Sequence, residues 1–295
     1  MNEVLPVIGV IGGSGVYDID ALEDRRWERV ASSFGEMSDE VLIGTLAGQK
    51  IAFLPRHGRG HRLPPSDINF RANIDGLKRL GVTDLISVSA VGSLREDLPP
   101  GRFVIVDQFI DRTFARDKSF FGPGLVGHVS MADPVCRRLV DGLEEAARGA
   151  GLDVTRGGTY LVMEGAQFSS RAESALYRSW QCDVIGMTNM PEAKLAREAE
   201  MCYASVAMIT DYDCWHPEHD AVSVDQVIGV LMANAENARR LVTRAAGVDS
   251  PLRGPRPLCP HGCERVLDFA LITHPDARDP AMVEKLDAIA GRVLR

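Results

Sequence analysis

The chain has 295 residues, 45% hydrophobic and 25% charged, with a formal net charge of -8 and a sequence pI of about 5.4. Such a composition suits a globular protein with a sizeable core, and an acidic balance without a dense Lys/Arg run disfavours a nucleic-acid backbone as partner. The apolar start lacks a basic flank and is broken by glycine, which fits neither a signal peptide nor a membrane span, so we expect a cytoplasmic protein.

The first element is the buried-strand run VIGVI (7–11), which ends in the turn sequence GGSGVYD (12–18). A dinucleotide fingerprint needs G-x-G-x-x-G, and counting from Gly13 and Gly15 the third glycine position holds Asp18. A P-loop needs a lysine after its last glycine, and Gly15 is followed by Val16. Two readings remain: a tight turn that uses the freedom of glycine, or a cradle of backbone N–H groups with the Ser14 hydroxyl around one compact anion such as phosphate.

Further Val/Ile-rich runs follow: IAFLPRH (51–57), DLISVSAVGS (84–93), FVIVDQFI (103–110), TYLVMEG (159–165), DVIGM (183–187) and YASVAMITDYD (203–213). Each reads as a strand buried on both faces. Helical patterns alternate with them: NIDGLKRLG (73–81), a segment 133–151 with Asp133 as N-cap and Pro134 at the first helical position, PEAKLAREAE (191–200), and 223–242 opened by Ser223. This alternation predicts an α/β fold, a single domain built on a central mixed, largely parallel β-sheet flanked by helices. Residues 246–295 read as a C-terminal extension made of a proline-rich linker, a strand VLDFALITH (266–274) and a helix over 279–295.

In such sheets ligands bind at the carboxyl ends of strands. Those ends carry Ser14, Arg56, His57, Ser89, residues 164–170, Met187, Thr188, Asp211 and Asp213. One arginine, one histidine and three hydroxyls around a glycine-rich turn suit a phosphate dianion, and a carboxylate pair suits acid–base work or recognition of amino groups. Asp211 and Asp213 would share a face within a strand and diverge in a loop. The six cysteines read as reduced thiols; Cys259 and Cys263, with His261, and Cys214, with His216 and His219, are the places where a disulfide or zinc would be sought, and no metal site is expected.

Eight segments in collinear order, GVIGGSG (9–15), RHGRGHRLPPSDINFRANI (56–74), SAVGSLREDLPPG (89–101), VDQFIDRT (106–113), EGAQFSSRAES (164–174), GMTNMPEAKLARE (186–198), CYASVAMITDYDCW (202–215) and VSVDQV (222–227), resemble the trimeric-type purine nucleoside phosphorylases, specifically the 5'-methylthioadenosine phosphorylases. The resemblance covers roughly residues 7–245 and implies phosphorolysis of S-methyl-5'-thioadenosine to adenine and 5-methylthioribose 1-phosphate, with 6-oxopurine or methylthioinosine phosphorolysis as the alternative. It implies that Ser14, Arg56, His57, Ser89 and Thr188 hold inorganic phosphate, a co-substrate, with no cofactor. The resemblance makes Asp211 the acid, or shared-proton partner, at purine N7, with Asp213 supporting the 6-amino group directly or through the same network. Ala90, Gly92, Phe168, Ser169 and Met187 would line the nucleoside; Val224, Val227 and Ile228 would line an apolar 5' pocket, with His128 reaching in from a neighbouring subunit of a homotrimer or dimer of trimers. Three departures stand out: Ala166 and Gln167 replace a Pro-Arg pair common in relatives, Gly186 replaces an Asn found in some of them, and the stretch beyond residue 250 exceeds the shorter relatives.

Overall fold

The computed structural model describes residues 7–13, 15–16, 18–217, 224–252 and 259–295, with residues 224–228 and 231 described by their backbone alone. Among them, eleven strands join in one sheet. In chain order they are β1 (Val7–Gly12), β2 (Glu23–Glu28), β3 (Val41–Leu46), β4 (Gln49–Pro55), β5 (Val82–Ser93), β6 (Phe103–Val106), β7 (Gln108–Arg112), β8 (Val154–Arg156), β9 (Thr159–Met163), β10 (Val184–Gly186) and β11 (Cys202–Asp211). The helices are α1 (Phe70–Arg79), α2 (Arg137–Gly149), α3 (Arg171–Ser179), α4 (Asn189–Glu198), α5 (Val224–Ala245), α6 (Pro280–Lys285) and α7 (Asp287–Leu294).

The sheet runs β2-β3-β4-β1-β5-β10-β9-β7, and β11 pairs with the other edge of β5 and with β6. The pairs β1·β4, β1·β5, β5·β11, β9·β10, β7·β9 and β6·β8 are parallel, whereas β2·β3, β3·β4, β5·β10 and β6·β11 are antiparallel. The mixed, mostly parallel sheet expected from the alternation is thus what forms. Strand β5 is the hinge of the arrangement: twelve residues long, it pairs with β1 in its first half, with β10 at Gly92 and Ser93, and with β11 throughout. The carboxyl ends of β1, β4, β5, β10 and β11 therefore converge.

Several local expectations are corrected. The segment 103–110 is two strands, since β6 pairs with β8 and β11 while β7 pairs with β9. Helix α2 begins at Arg137 rather than after Asp133, because the Cys136 N–H is taken by the Tyr203 carbonyl of β11 at 2.8 Å. Helix α3 had no apolar stripe to announce it; a capping box between Ser170 and Glu173 starts it. In the tail, 266–274 makes only an isolated bridge, Gly127 to Leu271, instead of a strand, and the final helix is split at Leu286. The tail nevertheless joins the main core through Leu267, Leu286, Ile289 and Ala290, with Arg292 on Glu200 and Arg79 on Asp287 as polar ties. None of the described helices is long and apolar enough to cross a membrane.

Candidate functional site

The converging strand ends enclose a cavity of about 540 Å³ lined by Gly13 and Val16 after β1, Arg56 and His57 after β4, Ser89 to Gly92 of β5, Met187 and Thr188 after β10, and Asp211 and Asp213 at the end of β11. A cleft of about 700 Å³ opens elsewhere, between Asp18–Ala21 and Arg239–Arg244, and contains none of these strand-end residues. The smaller cavity is the one in which charge, hydroxyls and carboxyls meet, so the chemistry selects it.

At one end of the cavity sits Arg56, a fully buried arginine. Its Nε donates to Glu192 Oε2 at 2.9 Å, its Nη1 to the Val88 carbonyl at 3.0 Å, and its Nη2 to Ser87 Oγ at 2.6 Å. Burial pulls its pKa down, and the Glu192 carboxylate more than offsets that, so the charge is held in place. The protein thus commits most of the five guanidinium donors and leaves one Nη1 hydrogen for a ligand. Behind it the buried side chains are joined: Tyr203 donates to Glu192 at 3.0 Å, and Asn189 Nδ2 donates to Tyr203, Ser205 and Ser87. The Ser89 hydroxyl donates to Asn189 Oδ1 at 3.0 Å and lies 3.4 Å from the Tyr160 hydroxyl. Such a fixed polar floor keeps the donors aimed without reorganisation.

His57 is pushed down to about 4 by burial, and its Nδ1–H is directed at the Leu63 carbonyl 2.8 Å away. At neutral pH its Nε2 is therefore an acceptor, able to receive a hydrogen bond from the P–OH of a monohydrogen phosphate.

The opposite end holds the carboxyls. A bulge between Ile209 and Asp211 shifts the register of β11 against β5 and places Asp211 across from Gly92. Any Cβ at Gly92 would sit 2.8 Å from Asp211 Oδ1, so glycine there gives the carboxyl its room. Asp211 accepts from Thr210 Oγ1 at 2.7 Å and from the Asp213 N–H at 2.8 Å, yet burial still raises its pKa. Asp213 lies past the strand end with φ +52, so the two carboxyls diverge, and both line the cavity. Burial first, and the neighbouring Asp211 charge in addition, push Asp213 up to about 6, and its Oδ2 is buried without a hydrogen-bond partner among the described residues. A carboxyl held ready to carry a proton is what a poor leaving group requires.

Between these ends, Ala90, Gly92, Phe168 and Met187 line the cavity, joined by Met163, Thr210, Ile185 and Met208, which sequence patterning had not singled out as site residues. Ser169 is not brought to the lining; its hydroxyl points to Met163 Sδ at 3.5 Å. His128 lies apart from this cavity, exposed, in a second depression with Lys118 and Glu198. Ser14 lies outside the described residues, and so do the side chains of Val224, Val227 and Ile228. Gly186 has a steric explanation: a Cβ there would meet the Tyr160 hydroxyl at 2.0 Å, so the tyrosine fills the place where an Asn side chain would project. Arg116 is a further residue that no pattern announced. It donates to the carbonyls of Met187, Met190 and Glu164 at 2.6 to 2.7 Å, fastening the loops after β9 and β10 to each other.

Residues 7–246 match the family model of the phosphorylase superfamily. The chain belongs to the phosphorylase superfamily. Over 290 residues, 98% of this chain and 97% of the relative, it is 65% identical to the S-methyl-5'-thioadenosine phosphorylase of Rhodospirillum rubrum. It is 63% identical to that of Cereibacter sphaeroides over 98% of this chain and 99% of the relative. Among solved structures, a methylthioadenosine phosphorylase from an antarctic soil metagenomic library superposes with a TM-score of 0.87 at 47% identity, covering 96% of this chain and 98% of that one. A variant of the Schistosoma mansoni adenosine/methylthioadenosine phosphorylase in complex with methylthioadenosine gives 0.77 at 36% identity, covering 82% and 90%. Superfamily membership places the observed cavity on the shared scaffold, since the matched residues include every lining residue described above.

Proposed function

We propose that the protein is a pentosyltransferase that cleaves S-methyl-5'-thioadenosine with inorganic phosphate, giving adenine and 5-methylthioribose 1-phosphate, a step of purine and methionine salvage. The observation that carries this reading is one cavity with a charged arginine, a neutral histidine and hydroxyls at one end and two carboxyls of raised pKa at the other. Relatives named S-methyl-5'-thioadenosine phosphorylase at 63% and 65% identity support it.

The chemistry follows from that polarity. Phosphate held by Arg56, His57, Ser89, Thr188 and the turn at Ser14 lies beneath C1' of the ribose, where cationic character develops as the N-glycosidic bond breaks. One phosphate oxygen bonds to C1' while the electron pair of the broken bond passes to the purine, and Asp211 supplies or shares the proton at N7. Asp213, with its unpartnered Oδ2, accepts from the 6-amino group, and a 6-oxopurine would present a second acceptor there and be rejected. Met187, Ala90 and Phe168 cover the apolar faces of the nucleoside, and Val224, Val227 and Ile228 of α5 supply the 5' pocket. Inorganic phosphate is the only co-substrate and no organic cofactor takes part. The enzyme acts in the cytoplasm as a homotrimer or dimer of trimers, with His128 of a neighbouring copy completing the 5' pocket.

The test is adenine release from 5'-methylthioadenosine with and without phosphate, with methylthioinosine and inosine alongside and Asp211→Asn in parallel. Phosphate-dependent adenine release that falls about 100-fold or more in the variant is expected. Turnover of the inosine compounds alone, or undiminished activity of the variant, refutes the assignment.

A further inference from the structure

Four cysteines from three separate stretches of the chain meet in the core: Cys136 at the start of α2, Cys202 at the start of β11, and Cys259 and Cys263 of the tail. All are buried, and their Sγ atoms all lie within 4.8 Å of one another, with Cys136 and Cys259 3.5 Å apart. We propose that this tetrad is a structural zinc site that fastens the C-terminal extension to the phosphorylase core.

The spacing separates a ligand cage from a disulfide. Tetrahedral zinc with Zn–S bonds of about 2.3 Å sets sulfur–sulfur edges of about 3.8 Å, whereas a disulfide needs about 2.05 Å. The observed separations are those of a ligand cage. Cys259 and Cys263 form a C-x3-C pair, and Gly262 between them turns the chain in the left-handed region at φ +63 with its N–H on the Cys259 carbonyl at 2.8 Å, which returns the second sulfur toward the first. The remaining two ligands come from the rigid core, whereas His261 is exposed and takes no part. Four protein thiolates close the coordination sphere, which marks a structural rather than a catalytic site.

Charge agrees with geometry. Zinc with four thiolates carries two net negative charges, and two guanidinium groups stand at the cluster: Arg197 Nη1 donates to Cys263 Sγ at 3.5 Å, and Arg138 hydrogen-bonds to Cys202 while pairing with Asp84 at 2.5 Å. A divalent cation converts all four thiols to thiolates, with release of their protons. The consequence reaches the tail and the loop it holds, because Leu267 N–H binds Glu200, Ile272 N–H binds the Val126 carbonyl, and Ala270 accepts from the His128 N–H at 2.9 Å.

The experiment is elemental analysis of the full-length protein purified from zinc-supplemented cells under reducing conditions without chelator, with thiols counted after denaturation. About one zinc per chain is expected, with X-ray absorption showing four sulfurs near 2.3 Å. Cys202→Ser and the double variant Cys259→Ser/Cys263→Ser should lose at least ten-fold in zinc content, and Cys182→Ser should keep it. Should the cysteine variants fail to fold, wild-type protein exchanged with cobalt(II) decides: thiolate-to-cobalt charge-transfer absorption supports the site. Metal content below a tenth of an equivalent with no cobalt charge transfer overturns the proposal. So does a thiol count showing two disulfides among the four.

Discussion

Asp213→Asn separates the electrostatic account of the base end from a merely steric one. In wild type, burial and the Asp211 charge raise Asp213 from 3.8 to about 6, so between those values the folded state holds a proton that the unfolded chain has released. The folded state then binds more protons than the unfolded one, and stability falls as pH rises through that window, down to a constant penalty above it. About two pKa units at 1.36 kcal/mol each set that penalty at roughly 3 kcal/mol. Asparagine cannot ionise, so the stability of the variant relative to wild type should improve by about 2.4 kcal/mol between pH 4 and pH 7.5, the rest of the loss falling below pH 4, whatever constant offset the amide itself introduces. The assay is urea unfolding of both proteins at a fixed protein concentration across that range, without phosphate or nucleoside, which would bind and stabilise the folded state. Phosphorolysis of methylthioadenosine should fall in the same variant. A stability difference that is flat in pH would refute the reasoning, since it would mean that Asp213 ionises as it does in the unfolded chain.

Three further outcomes follow from the geometry. Gly92→Ala places a Cβ 2.8 Å from Asp211 Oδ1 and displaces that carboxyl by several tenths of an ångström, so kcat/KM should drop about 10-fold or more with the fold retained, as checked by steady-state kinetics beside circular dichroism. Glu192→Gln leaves the Arg56 charge buried without its counter-ion; we expect about 3 kcal/mol of lost stability and a raised KM for phosphate, and wild-type values for both would contradict the role given to the pair. For His57, NMR should show an imidazole that stays neutral from pH 8 down to pH 5 and takes up a proton only around pH 4, by reason of its burial; a midpoint near 6.5 would disprove the acceptor role.

Local pattern was enough for what local physics controls. The apolar runs of β1, β5, β9 and β11 are buried whichever partners they take, so their strand character follows from local pattern, and the α/β class from their alternation with helical stretches. Residues toward the carboxyl ends of such strands, Arg56, Ser89, Met187, Thr188 and Asp211, are legible as a site for the same reason. Polar edge strands such as β2, most of whose residues are exposed, carry no such signal, and the tail strand failed because 266–274 finds only one bridging partner.

What only the tertiary structure decided is everything that depends on distance between residues remote in sequence. Arg56 and Glu192, or Gly186 and Tyr160, have no spacing that could link them, because packing of separate elements and not helical or strand period brings them together. The cysteines make the point most plainly. Sequence pairs Cys259 with Cys263 and looks to the adjacent His261, while the fold supplies Cys136 and Cys202 from the core and turns His261 to solvent. Side-chain chemistry is written residue by residue, but charge, pKa and ligation depend on burial and neighbours, and those exist only once the chain has closed on itself.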